Sequence, residues 1–357
     1  MNYPLSRHVS YYSLFLVLST VAPALAQRTL SIQSEPLTLP SGIYELAEVQ
    51  DERVKTDAIG LIVQPSGQYT SLRLPNSLPV TFTRLLNSPR NGAYQIIVRV
   101  KECWFQESHT GQRVTGRFRI GLAFERKLED SILPLTECQS GVEYTRSLGI
   151  DGNYEIQLRQ TLERCFREFD QWLKTNQKRS DKLAQRVEVR FKEYTPRGIL
   201  GDTVFYSPKR PVTWSDFTGP IHRTNPRYGA TIFTSFGYEA ITHTENGTLV
   251  VDMMLKVYML KNSSWTAEPA SNGYALAHEQ LHFDITHLVA ERFKRTLLKE
   301  ELPVDEYDSR IQYLFLDAFR EMNHYQEQYD LDSSHSINQA GQARWVEKVR
   351  KELKELQ

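Results

Sequence analysis

The sequence predicts an α+β protein in two parts, an N-terminal antiparallel sheet domain with one long helix, then a small sheet followed by three helices. Three observations carry this. Short segments rich in β-branched and aromatic residues, separated by Ser, Pro, Asn and Gly, fill much of the N-terminal half. One long stretch with the 3.6-residue apolar period closes that half. Three further stretches of that period end the chain, after two strand-like segments split by Asn246-Gly247.

In order along the chain, residues 1–26 have a basic start (Arg7, His8), an apolar run from Tyr11 to Val21, and an Ala24-Leu25-Ala26 ending. This is the pattern of a secretory leader cut before Gln27. No cysteine stands at the cut to carry a lipid, and no later segment approaches the roughly 18 apolar residues of a membrane span. The expectation is a soluble chain in a periplasm or outside the cell, with no stable membrane insertion.

Strands are expected at Ile43 to Val49, Ala58 to Val63, Tyr94 to Val100 and Arg117 to Phe124, and a helix at about Tyr154 to Lys174. The charged run Lys178 to Lys182 is the expected linker, dividing a domain at 27–183 from one at 184–357. Beyond it come strands at Arg186 to Tyr194, Thr231 to Ile241 and Leu249 to Leu260. A turn-rich piece, Pro211 to Phe217, precedes the last two, and Trp214, Asp216 and Phe217 read as packing plus a turn.

The 43 basic and 43 acidic side chains balance and are scattered, which argues against a nucleic-acid partner. Cys103, Cys138 and Cys165 allow one disulfide and an odd thiol, with the pairing open. Cys165 lies on an apolar face with Leu158, Leu162, Phe166, Phe169 and Leu173, so it reads equally well as a core residue.

The chemistry is concentrated in His278-Glu279-Gln280-Leu281-His282. On a helix, His278 and His282 stack one turn apart with Glu279 beside them. Two neutral imidazoles so placed supply half of a tetrahedral zinc shell, and the carboxylate supplies a general base. By chance the pattern arises in about one or two of a hundred chains of this length. Tyr274, Leu281, Ile285, Leu288, Val289, Phe293 and Leu297 mark the same helix, and both His fall within their apolar arc. Two core histidines without metal would each need a separate acceptor, where one ion serves both.

His287 points to the opposite side of the helix and reads as a solvated surface residue, and Asp284 as a solvated or capping carboxylate. The small sheet, motif helix and helices behind it suit a zincin-like half. Leu249 to Leu260 is then either an edge strand open to an extended peptide or an interior strand. Spacing leaves the third zinc ligand open among Glu321, Glu306, His324 and His335.

The motif with its following Phe283-Asp284-Ile285, the upstream Val212-Thr213-Trp214-Ser215-Asp216-Phe217-Thr218-Gly219, Ser264-Trp265, and the downstream Tyr329-Asp330, His335, Gln342 and Trp345 together resemble a bacterial family. It is a domain-of-unknown-function family described as predicted secreted zinc-dependent proteases. The resemblance spans about Val187 to Leu356, with Ser333 where the family has Thr and Ser336 where it has Gly. It implies His335 as third ligand, with Glu321 in reserve.

The expected activity is hydrolysis of peptide bonds in a peptide or protein substrate. One Zn²⁺ per chain would be held by His278, His282 and His335, Glu279 would be the base, and Tyr329 would donate to the oxyanion or serve as a buried structural residue. The other expectation is an envelope binding or assembly module with a structural or vestigial metal site. A cell-wall amidase would use the same motif.

Overall fold

A computed structural model describes residues 27–37, 42–87, 91–195, 201–221, 229–267 and 271–356. The expected leader, residues 1–26, lies outside them. Among the described residues no helix is long and apolar enough to cross a membrane. The chain is a mixed α/β protein that divides into two compact units, Met1–Lys127 with Pro134–Asp170, and Leu128–Leu133 with Gln171–Gln357.

The first unit is built on one sheet. Its elements are β1 (Gln27–Thr29), β2 (Tyr44–Asp51), β3 (Gly60–Val63), β4 (Tyr69–Arg73), α1 (Leu78–Leu85), β5 (Tyr94–Thr110), β6 (Arg113–Lys127), β7 (Ile132–Ser147) and α2 (Tyr154–Asn176). β5 and β6 form a long antiparallel hairpin, closed by a two-residue turn in which Gly111 takes φ +57°. β2 and β3 both run parallel to β5, β2 pairing from Tyr44 to Asp51 and β3 at Gly60 and Leu61, while β4 is antiparallel to β3 and parallel to β1.

The sheet is therefore mixed, not antiparallel as expected. In-and-out alternation looks the same for either strand direction, so the residue pattern carries no direction. β7 and the eight-residue α1 were not anticipated.

Leu158, Leu162, Cys165, Phe166 and Phe169 of α2 are buried. Phe169 stacks on Phe124 of β6 at 4.1 Å between ring centroids and meets Tyr44 of β2 edge-on. These contacts bind the first part of α2 to this sheet, so the division falls inside the helix at Asp170 and not in the charged run Lys178 to Lys182. Cys138 of β7 is bonded to Cys165 of α2, with Cα atoms 5.7 Å apart. Cys103 is the free, buried thiol, pushed up to about 12 by desolvation.

The second unit contains β8 (Arg186–Lys192), β9 (Thr203–Phe205), β10 (Ala230–Thr231), β11 (Thr234–Glu245), β12 (Thr248–Leu260), β13 (Trp265–Thr266), α3 (Gly273–Leu297), α4 (Tyr307–Ser333) and α5 (Gln339–Leu356). β11 and β12 form the expected hairpin, with Asn246 and Gly247 at φ +51° and +79°, the left-handed pair of a tight two-residue turn. β12 has β11 on one side and β8 and β9 on the other. Of the two alternatives for Leu249 to Leu260, the strand is thus the interior one. β10 pairs instead with β13 in a separate two-stranded ribbon.

α3 is the centre of this unit, and three apolar clusters meet on it. Phe283 packs with Val204, Val212, Phe217, Ile232 and Met259. Val289, Ala290, Phe293 and Leu297 pack with Phe236, Val251 and Met253 of the sheet and Met322 of α4. Leu281, Ile285 and Leu288 pack with Tyr329, Trp345 and Val349. Each such buried side chain is worth about 1.5–3 kcal/mol, so the helix axis is fixed from three directions.

The disulfide closes a sequence separation of 27 residues. Replacing both Cys138 and Cys165 by Ala is expected to lower the unfolding free energy by about 3 kcal/mol in urea titrations. An unchanged midpoint would contradict the pairing.

Candidate metal centre

α3 starts where Asn272, in extended backbone, accepts the Ala275 N–H on its side chain at 2.9 Å. One turn in, His278, Glu279 and His282 are all buried, and the two imidazole centroids lie 4.9 Å apart. α4 brings Asp330 against them. His278 Nε2 is 3.2 Å and His282 Nε2 3.0 Å from Asp330 Oδ1. One ligand atom from each residue lies within 4.8 Å of the other two, a group able to hold a metal ion.

The donor set is two imidazole nitrogens and one carboxylate oxygen. Bonds of about 2.0–2.1 Å at tetrahedral angles put neighbouring ligand atoms about 3.3 Å apart, close to the two nitrogen-to-carboxylate distances of 3.2 and 3.0 Å. The three residues border a cavity of about 500 Å³, with Glu279, Gln326 and His335 also on its wall.

Charge is coupled across the group. Burial pushes the Asp330 carboxyl up, but hydrogen bonds from both histidines outweigh it and hold the group well below the usual carboxylate range. For His282 burial disfavours the charged ring, yet the bond to Asp330 and the charges of Asp330 and Glu279 raise its pKa overall. Burial prevails at His278, where the bond to Asp330 only offsets it in part, and its pKa is lowered. Glu279 is pushed up to about 7, first by burial, against the opposing His282 charge and the Ile232 N–H bond at 2.9 Å.

The residues expected to complete the site are placed as follows. His335 is on the cavity wall, its Nδ1 3.6 Å from Asp330 Oδ1, outside the group of three. It is delivered by an unusual turn. Ser334, His335 and Ser336 all have positive φ (48°, 50° and 73°), and the His335 N–H caps α4 by donating to Asp330 O at 2.9 Å.

Tyr329 is fully buried, lies under the His278 ring at 4.6 Å, and donates to His278 O at 3.4 Å. It is not on the cavity wall. Glu321 is ion-paired with Arg292, Glu306 stands at the residue before α4 with no capping bond from its side chain, and His324 is exposed. None of these lines the cavity.

Asp330 was not singled out in the sequence as a ligand. Its only signal was its place in the Tyr329-Asp330 pair. His287 is not a solvated residue. It is half-buried and stacked on Tyr206 at 4.1 Å, because β9 leads Tyr206 onto that side of α3. Asp284 is also half-buried and accepts from Tyr206 Oη at 3.0 Å and Gln280 Nε2 at 2.9 Å. Gln280 Oε1 in turn accepts the Val212 N–H at 2.8 Å.

Past Val212, a 3₁₀ turn at Trp214–Asp216 is closed by a capping box between Thr213 and Asp216, as packing plus a turn requires. Gly219 then runs so close to Asn262 that an added Cβ would lie 2.5 Å from its carbonyl oxygen. Ser264, fully buried, accepts the Phe233 N–H on its hydroxyl at 2.9 Å and donates to Leu260 O at 2.7 Å.

The chain matches no known protein family in a comparison with family models, and no curated protein matches it. The geometry above therefore carries the functional argument.

Two stability measurements test it. In metal-free protein Glu279→Gln is expected to stabilise the fold increasingly between about pH 4.5 and 7. Below that window the carboxyl is protonated both folded and unfolded. Through it only the folded state keeps the proton, so wild-type stability falls as pH rises, by on the order of 3 kcal/mol in all. Parallel pH–melting profiles would contradict the burial of an ionisable Glu279. Ser336→Gly is expected to stabilise by about 1 kcal/mol, by relieving a left-handed backbone, and a lower melting temperature would contradict that turn.

Proposed function

We propose that this chain is a zinc-dependent peptidase acting outside the cytoplasm. One observation carries the reading. Two imidazoles one turn apart and a carboxylate from a second helix converge on one cavity, with the buried Glu279 on the same wall. His278, His282 and Asp330 would hold the ion, and a mixed nitrogen and oxygen donor set suits zinc. When bound, such an ion supplies Lewis acidity, acidifying water and polarising a carbonyl.

The chain's own groups do the rest. Glu279 takes a proton from the attacking water as the carbon–oxygen bond forms. It returns that proton to the departing amine as the carbon–nitrogen bond breaks. The Ile232 N–H on Oε2 fixes the orientation of this carboxyl. Backbone of Gly229 to Ile232 and of His335 to Ile337 borders the cavity beside Glu279, which favours a peptide as substrate. The Cys138–Cys165 bond and the leader pattern of residues 1–26 favour an oxidising compartment.

A second reading rests on His335. With its Nδ1 3.6 Å from Asp330, it is near enough to serve as a fourth protein ligand, which would make the ion structural and the chain a binding or assembly module.

The readings separate in one experiment. Purified protein is expected to hold about one zinc by elemental analysis, to lose it in Asp330→Ala, and to cleave a quenched peptide library. Glu279→Gln is expected to keep the metal while losing at least about 100-fold in kcat. Absence of metal defeats both readings, and metal with no cleavage that Glu279→Gln changes defeats the peptidase.

A further inference from the structure

Behind His282, on the side away from Asp330, lies a closed polar chain that the proposed chemistry does not use. His282 Nδ1 is 3.2 Å from Oε1 of Gln326 on α4. Gln326 Nε2 is 3.1 Å from Thr234 Oγ1, at the start of β11, and 2.9 Å from Thr286 Oγ1, one turn further along α3. The two hydroxyls are 2.7 Å apart, and Thr286 Oγ1 donates to His282 O at 3.0 Å.

Counting protons fixes the direction of every bond. The Thr286 proton goes to His282 O, so the short contact between the hydroxyls must be filled by the Thr234 proton. Neither hydroxyl has a proton left for Gln326, and both can only accept from it. The amide therefore turns its NH₂ towards the threonines and its carbonyl oxygen towards His282. That oxygen has no hydrogen to give, so His282 Nδ1 carries one. Reversing the amide would set four oxygen–oxygen contacts against two hydroxyl protons and leave two of them unfilled.

With Nδ1 protonated, Nε2 is the only ring nitrogen open to an ion, and it is the atom 3.0 Å from Asp330. His278 differs, since its Nδ1 is buried and has no hydrogen-bond partner among the described residues.

We propose that Gln326 is a positioning residue. Locked by Thr234 and Thr286, it holds His282 in the form and orientation that presents Nε2 to the metal. His282 is thereby the preorganised ligand and His278 the adjustable one. The consequence for metal binding rests on the zinc reading, whereas the protonation of Nδ1 does not.

The test uses the full chain in two arms. In the metal-free protein, NMR with isotope-labelled histidine reads whether His282 Nδ1 bears a slowly exchanging proton. Competition with a chelating dye then gives the zinc Kd of the wild type, Gln326→Leu and Gln326→Glu.

The expected results are a protected Nδ1 proton in the wild type, its loss in Gln326→Leu with zinc affinity down about 10- to 100-fold, and recovery of most of that affinity in Gln326→Glu, which keeps an acceptor. An unprotonated Nδ1 in the wild type overturns the proposal, and so does an unchanged zinc Kd in Gln326→Leu. If the wild type binds no zinc, the peptidase reading fails, and the NMR arm still decides the role of Gln326.

Discussion

The site depends on one carboxylate answering two buried rings. His278 and His282 sit on a helix held by apolar packing on three sides, so neither can turn outward to water. A buried polar group without a partner costs about 1–3 kcal/mol, and two adjacent ones compound it. Asp330 Oδ1 meets both Nε2 atoms at once, and its negative charge makes the pair tolerable in a low-dielectric setting. A divalent cation fits the same demand, since it needs neutral rings and an ionised acid.

Much of the second unit serves to bring Asp330 to that point. Tyr329, one residue before it, is buried beneath the His278 ring and so sets the register of α4 against α3. After it, Ser333 Oγ bonds back to Tyr329 O, and the left-handed turn at Ser334 to Ser336 ends the helix. Trp345 of α5 donates to Asp332 at 2.8 Å, and Gly341 passes so close that an added Cβ would lie 2.1 Å from Asp332 O. On the far side of α3, Asp284 and Gln280 hold Val212, and so the Trp214–Asp216 turn, by hydrogen bonds. The same helix thus carries the two imidazoles and the polar hooks that position its surroundings.

What could be read from the residues alone follows from the range of the forces involved. The overall class, the hairpin at Asn246-Gly247, the motif helix and its two successors are written in local periodicity and turn chemistry. Asp330 lies 48 residues from His282, and no spacing rule connects them, because their meeting is decided by how two helices pack. The family resemblance pointed to His335, whose Nδ1 lies 3.6 Å from the carboxylate, outside the group of three. Parallel strands in the first unit were invisible for a related reason, since alternation records burial and not direction. His287 and Asp284 were misjudged because a helical wheel cannot foresee Tyr206 arriving from outside the helix.

The central claim is that one divalent ion sits between His278 Nε2, His282 Nε2 and a carboxylate oxygen of Asp330. Anomalous diffraction at the zinc absorption edge, from crystals of the protein grown with zinc, tests it most directly. The account predicts one strong peak within about 2.0–2.2 Å of all three atoms, beside Glu279 but not bonded to it. No peak there, or a peak elsewhere with the two rings still hydrogen-bonded to Asp330, would contradict it.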